Sequence, residues 1–204
     1  MYTIVIKVYT FFCLCGIIEN IGGKTMDIEL LNNDNISDAI KMQKDLFPLE
    51  NGSEDLKEAL NNVCPPHQFF QRYWLVKVGV KYVGIFGFYA YKHSPKDAWL
   101  GWYGVVEDER KKGYGKQILL EAMKIARDLG FDTLRLFTDE EDNDKAVLLY
   151  KKLEMLEEEY VNPADCHYEV GRTLIFSKSL TDKITKPWNN KNLYLNSHEE
   201  KNKE

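Results

Sequence analysis

Basic residues are in the minority in this chain: 27 Lys+Arg stand against 32 Asp+Glu over 204 residues, a formal net charge of −5. A duplex binder carries a basic field over one whole face, so this balance argues against a nucleic-acid partner and leaves room only for a local basic patch. Cysteine is scarce as well. Four cysteines in this length make no disulfide scaffold, and Cys13-x-Cys15, Cys64 and Cys166 lack the paired spacing of a zinc site. A reduced, cytoplasmic setting without a metal is therefore the expectation. With 44% hydrophobic and 13% aromatic residues, the chain can bury the core of one domain, which sets disorder aside.

No apolar run is long enough for an ordinary membrane span. Val8 to Ile18 is apolar and follows Lys7, but it falls short of the roughly 18–20 residues that cross a bilayer. Glu19, Asn20, Gly22, Gly23 and Lys24 follow it in place of a small-x-small cleavage site. Residues 1–25 thus stay open to three readings: a cleaved signal, a retained extension or anchor, or an artefact of a translation start at or next to Met26. For the last, Gly22-Gly23 can be written GGA-GGT, a bacterial ribosome-binding sequence just upstream of the Met26 codon. A membrane partner enters only if residues 1–25 are retained. Residues 181–204 are Lys- and Asn-rich, with Trp188, Leu193 and Tyr194 among few large apolar side chains, and read as a mobile polar tail.

Residues 26–180 carry the domain. A first strand at Asp27 to Leu30 precedes two helices, Asn35 to Phe47, capped by Asn35 or Ser37, and Ser53 to Val63, stopped by Pro65-Pro66. Tyr73 to Val78 and Tyr82 to Tyr91 read as a hairpin about Gly79-Val80-Lys81, and Trp99 to Val106 as a further strand. Gly113 to Leu129 follows as a helix with Ile118, Leu119, Ala122, Ala126 and Leu129 on one face and Gly130 ending it in a left-handed conformation. After a strand at Thr133 to Thr138, Asp142 or Asn143 caps a helix facing inward through Ala146, Leu149, Tyr150 and Leu153. Leu156 to Val161 and Arg172 to Ser179 close the order β-α-α-β-β-β-α-β-α-β-β. This is an α/β fold with a mixed sheet.

The chemically informative segment is Glu107-Asp108-Glu109-Arg110-Lys111-Lys112-Gly113-Tyr114-Gly115-Lys116, which joins a strand to a helix. Amides of a first helical turn lack internal partners and the helix dipole adds positive potential, so such a turn holds a pyrophosphate without special side chains. Gly113 and Gly115 permit close backbone approach, and Arg110, Lys111, Lys112 and Lys116 attract a polyanion. The turn lacks the Gly-Lys-Ser/Thr ending of a triphosphate loop and the three-glycine spacing of a dinucleotide fold.

Arg110-x-x-Gly113-x-Gly115 after a strand, followed by a helix, a strand and Asn143-x-x-Ala146-x-x-Leu149-Tyr150, resembles the GNAT family of N-acetyltransferases. The resemblance covers about Asp27 to Leu180. It implies a mixed sheet flanked by helices on both faces, acetyl-CoA as acyl donor and a primary amine as acceptor, with a homodimer open. It puts the pyrophosphate on the backbone of Lys111 to Lys116 and the pantetheine arm along Tyr103, Gly104 and Val105. Asn143 is then a cofactor contact, and Tyr150 the acid that protonates the leaving thiolate.

Two departures accompany the likeness. Glu154-Met155 stands where relatives often have Gly-Phe, so either a left-handed Glu154 costs about 1 kcal/mol or the turn differs. Trp99 to Val106 contains no carboxylate, leaving Asp97, Asp139, Glu140 or a water relay as the base. An inactive acetyl-CoA sensor is the rival function, and a packed core residue the rival role for Tyr150. Phe86, Phe88, Tyr89, Trp99 and Trp102 are candidate walls of the acceptor site. Asp165-Cys166-His167 reads as a polar loop rather than a metal site.

Overall fold

The computed structural model describes residues 17–19, 25–140, 143–163, 165 and 172–195. In chain order the elements are β1 (Ile17–Glu19), β2 (Thr25–Leu30), α1 (Ile36–Leu46), α2 (Ser53–Leu60), β3 (Gln68–Val78), β4 (Lys81–Tyr91) and β5 (Asp97–Val105). A one-turn 3-10 helix at Glu107–Glu109 then leads to α3 (Tyr114–Asp128), β6 (Thr133–Asp139), α4 (Asp144–Lys152), β7 (Leu156–Glu159) and β8 (Thr173–Ser179). The seven expected strands and four helices are all present, with the three-residue β1 added beside β2. Most of the apolar extension, residues 1–16 and 20–24, lies outside the described residues, as do Glu141, Asp142, Cys166, His167 and 196–204.

The strands form one sheet in the order β1-β2-β3-β4-β5-β6-β8-β7. Every neighbouring pair is antiparallel except β5 and β6. Alternation along the strands separates two cores. Trp74, Val76, Phe86 and Phe88 face α3 and α4, whereas Tyr73, Leu75 and Ile85 face α1 and α2, so helices cover both faces.

Sequence pattern and structure part at a few places. The strand β3 begins at Gln68, five residues before Tyr73, because Phe70 packs on Phe131 and Gln71 donates to the Val63 carbonyl across the preceding loop. Asn35 sits at the start of α1, but its side-chain oxygen accepts from the Asn32 amide and leaves the helix uncapped; Ser37 lies inside the helix. The inward face of α4 is Val147 and Tyr150, with Ala146, Leu149 and Leu153 at its half-buried rim.

The larger correction is the tail. Over residues 181–195 the chain is a strap, with Trp188 and Leu193 completely buried. They close a third cluster with Tyr91, Trp99, Tyr160 and Ile175, at the end of the sheet that α1 and α2 leave uncovered. Tyr160 and Asp165 both accept or share the Leu193 amide, at 3.0 and 2.9 Å, and the Trp188 indole donates to the Lys191 carbonyl at 2.6 Å. Beneath it Arg135, 4% exposed, pairs with Asp97 at 3.1 Å and donates to Ser177 and to the Lys186 carbonyl. A buried guanidinium needs such partners. Strong local composition made this segment look solvated; its few apolar residues are the ones that anchor it.

Candidate active site

The geometry around the predicted site residues starts where β5 leaves β6. Their parallel ladder runs only from Asp97↔Thr133 to Trp99↔Arg135. Beyond it β6 stays paired with β8 as far as Asp139, while β5 continues to Val105 beside β4. The β6-facing edge of β5 from Leu100 onward is thus released, and a strand-like ligand can be hydrogen-bonded there. A bulge accompanies the release. Trp102 and Tyr103 together oppose Phe86, and Trp102 takes a left-handed φ of 45°. Bulges of this kind turn a strand and re-aim its side chains.

The loop after β5 turns through two left-handed residues, Lys111 (φ 64°) and Gly113 (φ 85°), before α3 begins. A Cβ at Gly113 meets nothing within 4 Å, so its glycine answers a backbone requirement alone. A Cβ at Gly115 stands 3.3 Å from the Tyr103 hydroxyl, which donates to the Gly115 carbonyl at 2.7 Å. Tyr103 therefore clamps the start of α3 to β5, where the amides of the first helical turn have no intrahelical acceptor.

The four cations of the loop are not equivalent. Arg110 folds back to donate from Nε to the Val105 carbonyl at 3.0 Å. Lys112 and Lys81 both bind Glu109, at 2.8 and 2.9 Å, tying the loop to the β3–β4 turn. Hydrogen bonds from those two lysines hold the Glu109 carboxyl down to about 2. Lys111 and Lys116 are exposed and make no hydrogen bond or ion pair with described residues. They are the free charges of the patch.

On the neighbouring helix, Asn143 begins α4, and its carboxamide donates to the Asp139 carbonyl at the end of β6. Tyr150 is 5% exposed and rests on Phe176, ring centroids 5.1 Å apart. Burial raises its phenol well above the ordinary tyrosine range. Burial and then the proximity of Tyr150 do the same to Tyr103. The Tyr150 hydroxyl makes no hydrogen bond to a described residue, and burial keeps it protonated at neutral pH.

The opposite lip is the loop from Phe47 to Gly52 between α1 and α2. Phe47 packs edge-on against Trp102 at 5.2 Å, and a Cβ at Gly52 would stand 2.6 Å from the Trp102 ring. The Trp102 indole donates to Asp55 at 3.1 Å, and Gln43 donates to the Glu50 carbonyl at 3.3 Å. Lys44, Pro48, Leu49, Glu50 and Asn51 line an open hollow of about 580 Å³ here. Crowding by neighbours, then the charges of Asp139 and Asp55, raise the Glu50 carboxyl although much of the residue is exposed.

The acetyltransferase (GNAT) family model matches residues 38–155, more than half of the chain. The chain belongs to the GNAT acetyltransferase family. Its relatives use acetyl-CoA as acyl donor. None of the curated protein sequences matches it. Among solved structures it is similar to a chimera of spermidine N-acetyltransferase from Vibrio cholerae, 15% identical over 76% of this chain and 95% of that one, TM-score 0.60. The ribosomal-protein-S18-alanine N-acetyltransferase from Escherichia coli is 14% identical over 80% and 99%, TM-score 0.59. A GNAT acetyltransferase from Streptococcus pneumoniae is 17% identical over 76% and 99%, TM-score 0.57. At these identities the likeness is one of fold.

In this GNAT acetyltransferase the expected residues sort into groups. Tyr103, Gly104, Val105, Arg110, Lys111, Lys112, Gly113, Tyr114, Gly115 and Lys116 form one continuous strand, loop and helix start. Asn143 and Tyr150 stand on α4, the helix that follows β6. Asp97 is eight strand residues from Val105, roughly 25 Å, and is bound to Arg135, so it is removed as a base. Phe86, Phe88 and Trp99 are completely buried in the core and wall nothing. Trp102 is the aromatic that reaches the opposite lip. Glu50 and Asp55 were not legible as site residues, because only the fold brings their loop and helix to β5. Among the described residues no helix is long and apolar enough to cross a membrane, and no group of three or more metal-binding side chains exists.

Proposed function

We propose that this GNAT acetyltransferase moves the acetyl group of acetyl-CoA directly to a primary amine. The observation that carries the reading is the released edge of β5, lying on the same stretch of chain as the first-turn amides of α3. That combination suits a ligand with an amide-bearing arm and a pyrophosphate. Lys111 and Gly113, both left-handed, together with Gly115 shape the cradle, and Lys111 and Lys116 supply free charge beside it. Acetyl-CoA furnishes the activated acyl group; the chain orients it and manages protons.

The amine must attack as a neutral nucleophile, and the sulfur must leave protonated. Tyr150 suits the second task. It keeps its proton at neutral pH, makes no hydrogen bond to a described residue, and is near enough to Tyr103 to influence it, which supports a place for it beside the proposed cofactor. The departure at Glu154-Met155 and the lack of a carboxylate on β5 beyond Asp97 favour one rival, a sensor that binds acetyl-CoA and transfers nothing.

Thiol release with an amine panel separates the two, because a sensor binds acetyl-CoA calorimetrically and releases no thiol. With an accepted amine, Tyr150→Phe is expected to lower kcat by roughly 10²–10⁴ while acetyl-CoA affinity and melting temperature stay close to wild type. Near-normal turnover under conditions where chemistry limits the rate would reduce Tyr150 to a packing residue.

A further inference from the structure

We infer that Glu50 is the catalytic base, the carboxylate that takes the proton from the acceptor ammonium at the mouth between β5 and β6. The inference rests on the transfer reading above. It begins with the position of the loop. Phe47 and Gly52 both bear on Trp102, the bulged residue just before Tyr103, and Gln43 fixes the Glu50 carbonyl between those two contacts. Gln43 is itself completely buried, with its Oε1 unpaired, so the loop is pinned from beneath. Glu50 is thereby held beside the released edge of β5, within electrostatic reach of Asp139 at the end of β6.

The other carboxylates are committed. Asp139 accepts from the Thr173 hydroxyl at 3.1 Å, Asp55 from the Trp102 indole at 3.1 Å, and Glu140 pairs with Arg172 at 3.4 Å. Glu50 makes no side-chain hydrogen bond or ion pair with a described residue. A base needs a free lone pair, and crowding by neighbours, followed by the charges of Asp139 and Asp55, makes its proton affinity higher than that of an isolated glutamate. The charged groups around it are Asp55 from α2, Asp139 from β6 and, lining the same hollow, Lys44 from α1. Asp55 and Asp139 also favour the approach of a cation.

The protons balance. The ammonium passes one proton to Glu50 and becomes an amine; its nitrogen bonds to the acetyl carbon and the carbon–sulfur bond breaks. Tyr150 protonates the sulfur and recovers a proton from the new amide nitrogen, while Glu50 returns its own to solvent. Neither oxidant nor metal enters the sum.

The test uses the full chain, acetyl-CoA, and three amines: spermidine, a peptide beginning with alanine, and benzylamine. For an amine that wild type accepts, Glu50→Gln should lower kcat/KM by roughly 10²–10⁴ near neutral pH. The deficit should close as pH rises past the amine's own pKa, where no base is needed; a merely structural loss would not close. Glu50→Asp should keep part of the rate, and calorimetric acetyl-CoA affinity should be unchanged in both variants. Carboxyl-carbon NMR should show one glutamate titrating above the ordinary range in wild type and missing from Glu50→Gln. Wild-type rates and pH profile in Glu50→Gln, or a deficit that persists at high pH, would overturn the assignment and leave the transfer reading standing. A wild type that binds acetyl-CoA and releases no thiol with any of the three would overturn both.

Discussion

The two lips of the opening are built in opposite ways. On the proposed cofactor side, Tyr103 to Lys116 is one unbroken stretch that offers helix-start amides, two left-handed residues and a strand edge. The proposed acceptor side gathers side chains from α1, α2, β5 and β6, as far apart in sequence as Gln43 and Asp139. Backbone sites tolerate change in side-chain charge and fail when backbone approach is blocked. Side-chain sites fail one functional group at a time.

The sharpest break in that contrast is Gly115→Glu. Its new side chain starts 3.3 Å from the Tyr103 hydroxyl and brings bulk and a negative charge to the first turn of α3, so calorimetric binding of acetyl-CoA should be abolished. Lys112→Ala should weaken binding only a few-fold, and less at high salt, since that lysine is already paired with Glu109. Equal affinity of Gly115→Glu and wild type would remove the pyrophosphate from this turn. A loss with Lys112→Ala as large as with Gly115→Glu would show that charge rather than backbone builds the site.

The same contrast explains what was legible beforehand. Gly113 and Gly130 mark local backbone demands, and period and spacing placed α3, α4 and the strands between them. Glu50 carried no signal: it lies in a turn beside Pro48 and Gly52, where a solvated carboxylate is ordinary, and its proposed role depends on neighbours that only the fold supplies, among them Asp139, 89 positions away. The strap failed for the converse reason. Lys and Asn dominate its composition, yet Trp188 packs T-shaped on Trp99 at 4.9 Å and carries Arg135 over its ring at 5.3 Å. Composition averages over a segment, whereas burial is decided residue by residue.

Trp188→Ala measures how much that strap contributes. Removing a completely buried indole should cost about 3–5 kcal/mol, a fall of roughly 6–20 °C in Tm for a chain of this size. Acetyl-CoA affinity below the new transition should be retained, because the cluster lies at the Asp97 end of β5, away from Val105. An unchanged Tm would return residues 181–195 to the mobile tail that their composition suggests.

The smallest effect tests the backbone argument most cleanly. Both α3 and α4 end in the same motif. In α3, Gly130 donates to Arg127 and Phe131 to Ala126; in α4, Glu154 donates to Lys151 and Met155 to Tyr150. The residue between helix and exit is left-handed in each, Gly130 at φ 90° and Glu154 at φ 53°. Glycine occupies that conformation freely, and another residue carries about 1–2 kcal/mol of strain. Lys178 offsets part of it at α4 by donating to the Leu153 and Glu154 carbonyls at 2.8 and 3.3 Å. Glu154→Gly should relieve the strain but give the unfolded chain more freedom, for a net gain of about 0.5–1 kcal/mol. Gly130→Ala should lose about 1 kcal/mol for the backbone alone, since a Cβ there meets nothing within 4 Å. Opposite signs from urea unfolding would show that the two helix ends obey one rule. A Glu154→Gly variant less stable than wild type would mean that the glutamate side chain holds the turn.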